Sequence, residues 1–125
     1  MTAPGDRILV VEDNERNMKL VRDVLEASGY ETLEAATGEE AIELAREHVP
    51  ALVLMDVHLP GIDGVAALAR LRGDGATAAI PVVALTAQAM HGDRERFLDA
   101  GFDGYLSKPV DITELVTAVR EHCGS

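Results

Sequence analysis

The chain contains no tryptophan, and aromatic residues make up only 3% of its 125 positions. That excludes a large interface anchored on tryptophan, and it requires a core built from aliphatic side chains and alanine. There is one cysteine, Cys123, so no internal disulfide can form. A lone thiol near the C-terminus suits a reducing compartment, and the expected location is the cytoplasm. No apolar run approaches the roughly 20 residues needed to span a bilayer, and Met1 to Asp6 carry no apolar stretch of signal length. Basic residues are also few: 11 Lys and Arg against 22 Asp and Glu leave a net charge of −11. The basic residues are scattered rather than clustered, which argues against direct nucleic-acid binding and against adhesion to anionic membranes. Low-complexity segments, linkers and sequence repeats are absent.

Hydrophobic residues are plentiful, at 47%. A single domain spanning 1–125, with its core over 7–123, is expected; a chain of this length buries roughly two-thirds of its unfolded surface. Three short apolar runs, Ile8–Val11, Leu52–Met55 and Val82–Leu85, are too short for helices and suit strands buried on both faces. Thr32–Ala35 alternates in polarity, as an edge strand does, and Tyr105-Leu106 supplies a short fifth strand.

Helical patterns fill the intervals. Met18, Val21, Val24 and Leu25 share one face of a helix that starts near Asn14 and stops at Ser28-Gly29. Thr37 and Glu40 have capping-box spacing ahead of Ala41, Leu44 and Ala45. Val65, Leu68 and Leu71 mark a third helix, Phe97 and Ala100 a fourth ended by Gly101, and Ile112, Leu115, Val116 and Val119 a fifth capped by Asp111. Alternating strands and helices predict an α/β fold, a parallel sheet covered on both faces. Ligands bind such sheets at the C-terminal ends of the strands.

Those ends carry the chemistry. The first strand runs into Glu12-Asp13, the third into Asp56, the fourth into Thr86-Ala87 and the fifth into Ser107-Lys108-Pro109. One edge thus gathers three carboxylates, a hydroxyl and an ammonium. Two carboxylates about 5 Å apart repel by roughly 3 kcal/mol at an effective dielectric of about 20. A hard divalent cation relieves that repulsion, and magnesium, or manganese in its place, suits carboxylate, carbonyl and water oxygens. Each residue alone has an ordinary explanation. Glu12 or Asp13 can be a helix cap, Thr86 a strand-end hydroxyl and Lys108 a solvated charge. One polar group per strand end is harder to explain as plain surface. His48, His91 and His122 lack metal-ligand spacing and are expected to be solvated.

These residues lie in the motifs Val10-Val11-Glu12-Asp13-Asn14, Met55-Asp56-Val57-His58-Leu59-Pro60-Gly61, Asp63-Gly64, Leu85-Thr86-Ala87 and Ser107-Lys108-Pro109. In that order the sequence resembles the receiver domains of two-component response regulators from Ile8 to about His122. It is similar both to DivK-type single-domain regulators and to the receiver domains of hybrid histidine kinases. The resemblance implies a doubly wound, flavodoxin-like fold with strand order 2-1-3-4-5. It implies that Asp56 takes a phosphoryl group from a phosphohistidine on a histidine kinase or histidine phosphotransfer protein. Asp13, Asp56 and the backbone carbonyl of His58 would bind Mg²⁺ directly, and Glu12 through water. Lys108 would pair with Asp56 and then with the phosphoryl oxygens, and Lys108-Pro109 would be a cis peptide. Thr86 would close on the phosphoryl group, Ala87 would leave it room and offer its amide, and Tyr105 would turn inward. The side chains of His58 and Gln88 would tune the lifetime of the phosphoryl group.

The sequence shows no helix-turn-helix and no catalytic module, so output is expected through contact with a downstream protein. The fourth helix, fifth strand and fifth helix would form that face, on a monomer or a phosphorylation-dependent dimer. A receiver of this kind is a phosphoryl acceptor rather than a turnover enzyme. Haloacid-dehalogenase-type phosphatases also use an aspartate nucleophile and magnesium, but need a second aspartate two positions later, where this chain has His58.

Overall fold

The computed structural model describes residues 7–86 and 93–123. Ala87, Gln88 and His91 lie outside the described residues, as does the side chain of Cys123. Five strands and five helices alternate: β1 (Arg7–Val11), α1 (Glu15–Ala27), β2 (Glu31–Ala35), α2 (Gly38–His48), β3 (Leu52–Asp56), α3 (Gly64–Arg72), β4 (Val82–Thr86), α4 (Asp93–Ala100), β5 (Gly104–Ser107) and α5 (Ile112–Cys123). All strand pairs are parallel, in the order β2-β1-β3-β4-β5. The expected strand order and edge position of the alternating strand are therefore met.

The sequence explains the layering. β3 and β4 are buried at every position, as uninterrupted apolar strands must be between two helical layers. Successive side chains point to opposite faces. Leu9, Val11, Val53, Met55, Val82 and Ala84 join the core beneath α2, α3 and α4. Ile8, Val10, Leu52, Leu54, Val83 and Leu85 join the core beneath α1 and α5. Full burial of each large aliphatic contributes about 1.5–3 kcal/mol.

The caps follow local chemistry. Asn14 begins α1, its Oδ1 accepting from the Arg16 and Asn17 amides at 2.9 and 3.1 Å. Thr37 Oγ1 accepts from the Glu40 amide at 3.1 Å, while Glu40 Oε1 accepts from the Ala36 amide at 2.7 Å. Asp111 Oδ1 accepts from the Glu114 amide at 3.0 Å, as expected of a cap. Asp63, singled out only as part of a motif, caps α3 by accepting from the Ala66 amide at 2.8 Å.

Some helix faces differ from the pattern expected. Val65 and Ile112 are exposed, because the buried face of α3 runs through Ala67, Leu68 and Leu71, and that of α5 through Leu115 and Val119. Nor is His48 simply solvated: it is half-buried, with Arg7 Nη1 3.3 Å from its Nδ1. His122 is half-buried too, with its Nε2 3.2 Å from where a Cβ on Gly104 would stand.

Candidate functional site

The strand ends converge as the topology requires. The Glu12 amide donates to Ala35 O at 3.0 Å, holding Glu12 at the end of β1 beside β2. Asp56 is the last residue of β3, and the Val57 amide donates to Leu85 O at 3.0 Å, so the chain leaves β3 still paired with β4. The Lys108 amide donates to Thr86 O at 2.8 Å, which ties the end of β5 to the end of β4. The Lys108-Pro109 peptide is cis.

Lys108 lies between two acids. Its Nζ donates to Glu12 Oε1 at 2.6 Å and to Asp56 Oδ2 at 2.7 Å. The other Asp56 oxygen, Oδ1, accepts from the His58 amide at 2.9 Å. Glu12 and Asp56 are almost fully buried, whereas Asp13 is exposed. One ammonium cannot neutralise two buried carboxylates, and the protonation equilibria show the strain. Burial and the neighbouring Asp56 push the Glu12 carboxyl up to about 7, against the pull of Lys108. Burial also acts to raise Asp56, but its hydrogen bonds with Glu12, Lys108 and the His58 amide prevail and hold it below the ordinary carboxylate range. Burial disfavours the Lys108 ammonium, yet Asp56 and Glu12 outweigh that and raise its pKa.

The donor set fits a hard cation. Glu12, Asp13 and Asp56 each offer a carboxylate oxygen, and these lie within 4.8 Å of one another. Glu12 Oε2 is buried and has no hydrogen-bond partner among the described residues, a costly state unless a proton, water or cation meets it.

Of the other expected residues, Thr86, Tyr105 and His58 lie on β4, on β5 and just after β3. Thr86 is fully buried at the end of β4, opposite Ser107 in the register. Tyr105 is half-buried, its ring 6.3 Å from Phe97 at an interplanar angle of 45°. His58 is exposed at the start of the loop after β3. Three features were not legible as roles. Lys108 bonds Glu12 as well as Asp56, His58 contributes its amide N–H, and Gly64 lets α3 abut the β3 terminus. A Cβ on Gly64 would stand 2.6 Å from Asp56 O and 2.8 Å from Val57 Cα. Only a Gly in the Asp63-Gly64 motif hinted at that approach.

Residues 8–120 match the response regulator receiver domain family. The chain belongs to that family. It is 46% identical to the polar-differentiation response regulator DivK of Brucella ovis over 117 residues, covering 94% of this chain and 95% of that one. Its fold superimposes on the receiver domain of sensor histidine kinase PA1611 from Pseudomonas aeruginosa with a TM-score of 0.88 and 37% identity, covering 97% and 99% of the two chains. That structure holds a magnesium ion in its active-site cleft. A candidate response regulator from Chloroflexus aurantiacus superimposes with a TM-score of 0.90 and 34% identity, covering 96% and 98%. Receiver domains work with histidine kinases or phosphotransfer proteins, generally as phosphoryl acceptors rather than turnover enzymes. Family membership therefore displaces the haloacid-dehalogenase alternative. Among the described residues, no helix is long and apolar enough to cross a membrane.

Proposed function

We propose that this receiver accepts a phosphoryl group on Asp56 from a phosphohistidine and signals through protein contact. The observation that carries this reading is the buried Asp56 carboxylate, held from one side by the His58 amide and from the other by Lys108. A carboxylate oxygen of Asp56 attacks phosphorus, the P–N bond breaks, and the imidazole leaves with its electron pair. The transfer requires positioning and neutralised equatorial oxygens more than covalent assistance. Lys108 holds Asp56 in place and then turns its ammonium to a phosphoryl oxygen. Thr86 and the Ala87 amide offer further donors. Asp13, Asp56 and the His58 carbonyl would hold Mg²⁺ or Mn²⁺, with Glu12 acting through water. When bound, that ion supplies the positive charge that three carboxylates and one ammonium lack.

The same reading makes 7–123 the core of one domain acting in the cytoplasm. The side chains of His58 and Gln88 then set the phosphoryl lifetime by admitting or obstructing water. The higher identity to a DivK regulator than to the kinase receiver favours a free-standing regulator over a hybrid-kinase module. Output runs through α4, β5 and α5, where Tyr105, Leu98 and Thr117 line an open groove of about 620 Å³. The face serves a downstream effector or a phosphorylation-dependent second copy. Retention of phosphorylation-dependent partner binding by Tyr105→Ala would count against this face. Acetyl phosphate with Mg²⁺ should add one phosphoryl mass to the wild-type chain and none to Asp56→Asn. An equal gain by both would sink the assignment of Asp56.

A further inference from the structure

Gly38 occupies the first position of α2, immediately after its Thr37 cap. Glycine is a poor helix former, and its φ there is not in the left-handed region, so backbone freedom does not explain it. Space does. A Cβ on Gly38 would stand 2.7 Å from Ile62 Cγ1, 3.1 Å from Ile62 Cδ1 and 3.2 Å from Ile62 O. Ile62 belongs to the loop joining β3 to α3, residues 57–63. One position earlier, Gly61 has φ +77°, and a Cβ there would stand 3.1 Å from the Glu39 carboxylate of the same α2 turn. At the far end of the loop, Gly64 abuts the Asp56 backbone. The loop is therefore wedged between the first turn of α2 and the end of β3.

That loop carries His58, whose amide binds Asp56 Oδ1. We infer that the Gly38–Ile62 contact is a positioning device: the first turn of α2 sets the height of the loop and so the placement of the His58 main chain at Asp56. Gly38 and Ile62 touch no reacting atom. They act through His58, which makes this a refinement of the phospho-receiver reading and dependent on it. Gly38→Ala improves helix propensity, so impaired binding by that variant would not follow from a weaker helix. The added methyl has to displace Ile62, and the backbone oxygen at 3.2 Å ties that displacement to the loop.

The test compares wild type, Gly38→Ala, Ile62→Ala and the double variant. Mn²⁺ affinity is read by water-proton relaxation, and the His58 amide resonance is read in the metal-free protein. Gly38→Ala should shift the His58 amide and weaken Mn²⁺ binding by about tenfold, the size of effect seen when groups supporting metal ligands are lost. Adding Ile62→Ala, which removes both offending side-chain carbons and leaves only the 3.2 Å backbone-oxygen contact, should return affinity and resonance most of the way to those of Ile62→Ala alone. If Gly38→Ala does not fold, the double variant should. An unshifted His58 amide in folded Gly38→Ala, or a double variant as impaired or unfolded as the single one, would overturn the inference. A wild-type chain that binds no Mn²⁺ would count against the phospho-receiver reading instead, and the metal-free resonance would still decide the positioning.

Discussion

At the scale of single residues, Glu12 decides how much charge the site carries. Its carboxyl titrates near 4.5 when free and is raised to about 7 by burial and by Asp56. A raised acid binds its proton more tightly in the folded chain, so its stabilising contribution is complete below about 4.5 and is lost as pH rises through about 7. Asp56, lowered, contributes in the opposite sense, but its losses lie on the acid side, below the ordinary carboxylate value. The metal-free protein should therefore melt at progressively lower temperature as pH rises from about 5 to about 8. Glu12→Gln should flatten that slope. A slope left unchanged by the substitution would show that another group titrates there. Mn²⁺ affinity should rise with pH over the same window, since binding competes with the proton. Glu12, Asp56 and Thr86 stood out in the sequence because each ends an apolar run, where a polar side chain is conspicuous, whereas Lys108 follows the more polar β5 and gains meaning only beside them. The sharing of Lys108 between Glu12 and Asp56 was not legible, since strand order says which ends meet but not which oxygens.

At the scale of elements, the three central strands announced themselves by uninterrupted apolar sequence, and the caps by Asn14, Thr37 and Asp111. Contacts between loops distant in sequence gave no such sign. Arg72, at the end of α3, is the clearest case. Its Nη1 donates to Ala78 O at 3.1 Å and Ile80 O at 2.6 Å, and its Nη2 to Gly101 O at 3.1 Å and Asp103 Oδ2 at 2.8 Å. Asp103 Oδ2 also accepts from the Val82 amide at 2.8 Å. One planar guanidinium thus fastens α3 to the starts of both β4 and β5, the strands that deliver Thr86 and Lys108. An isolated arginine ending a helix looks like a response to the helix dipole, and no spacing rule reveals its distant partners. Arg72→Ala should cost about 2–3 kcal/mol in urea unfolding, because it leaves half-buried carbonyls without a charged donor. Arg72→Lys should recover little of this, since an ammonium cannot span the same fork. A loss below about 0.5 kcal/mol for Arg72→Ala, the level of an ordinary surface change, would contradict the clamp.

At the scale of the whole molecule, a doubly wound sheet brings four strand ends to one edge. There the chain places two nearly buried carboxylates, an exposed one, a buried hydroxyl and an ammonium. Its surplus of acid, −11 overall, makes it a poor ligand for nucleic acid. A parallel sheet places these groups well because both faces are packed, so the edge is fixed by cores on either side. The aliphatic strands that build those cores were read from sequence, whereas the exact helix faces, as with Val65 and Ile112, depended on how each helix settled. The chemistry of the site is decided by where the phosphoryl group resides. After reaction with acetyl phosphate and Mg²⁺, reduction with borohydride converts an aspartyl phosphate to homoserine, which peptide mass mapping can locate. Homoserine at position 56 is the predicted result. Homoserine at Asp13 or elsewhere, or an acid-stable phosphoryl group on a hydroxyl such as Thr86, would contradict it.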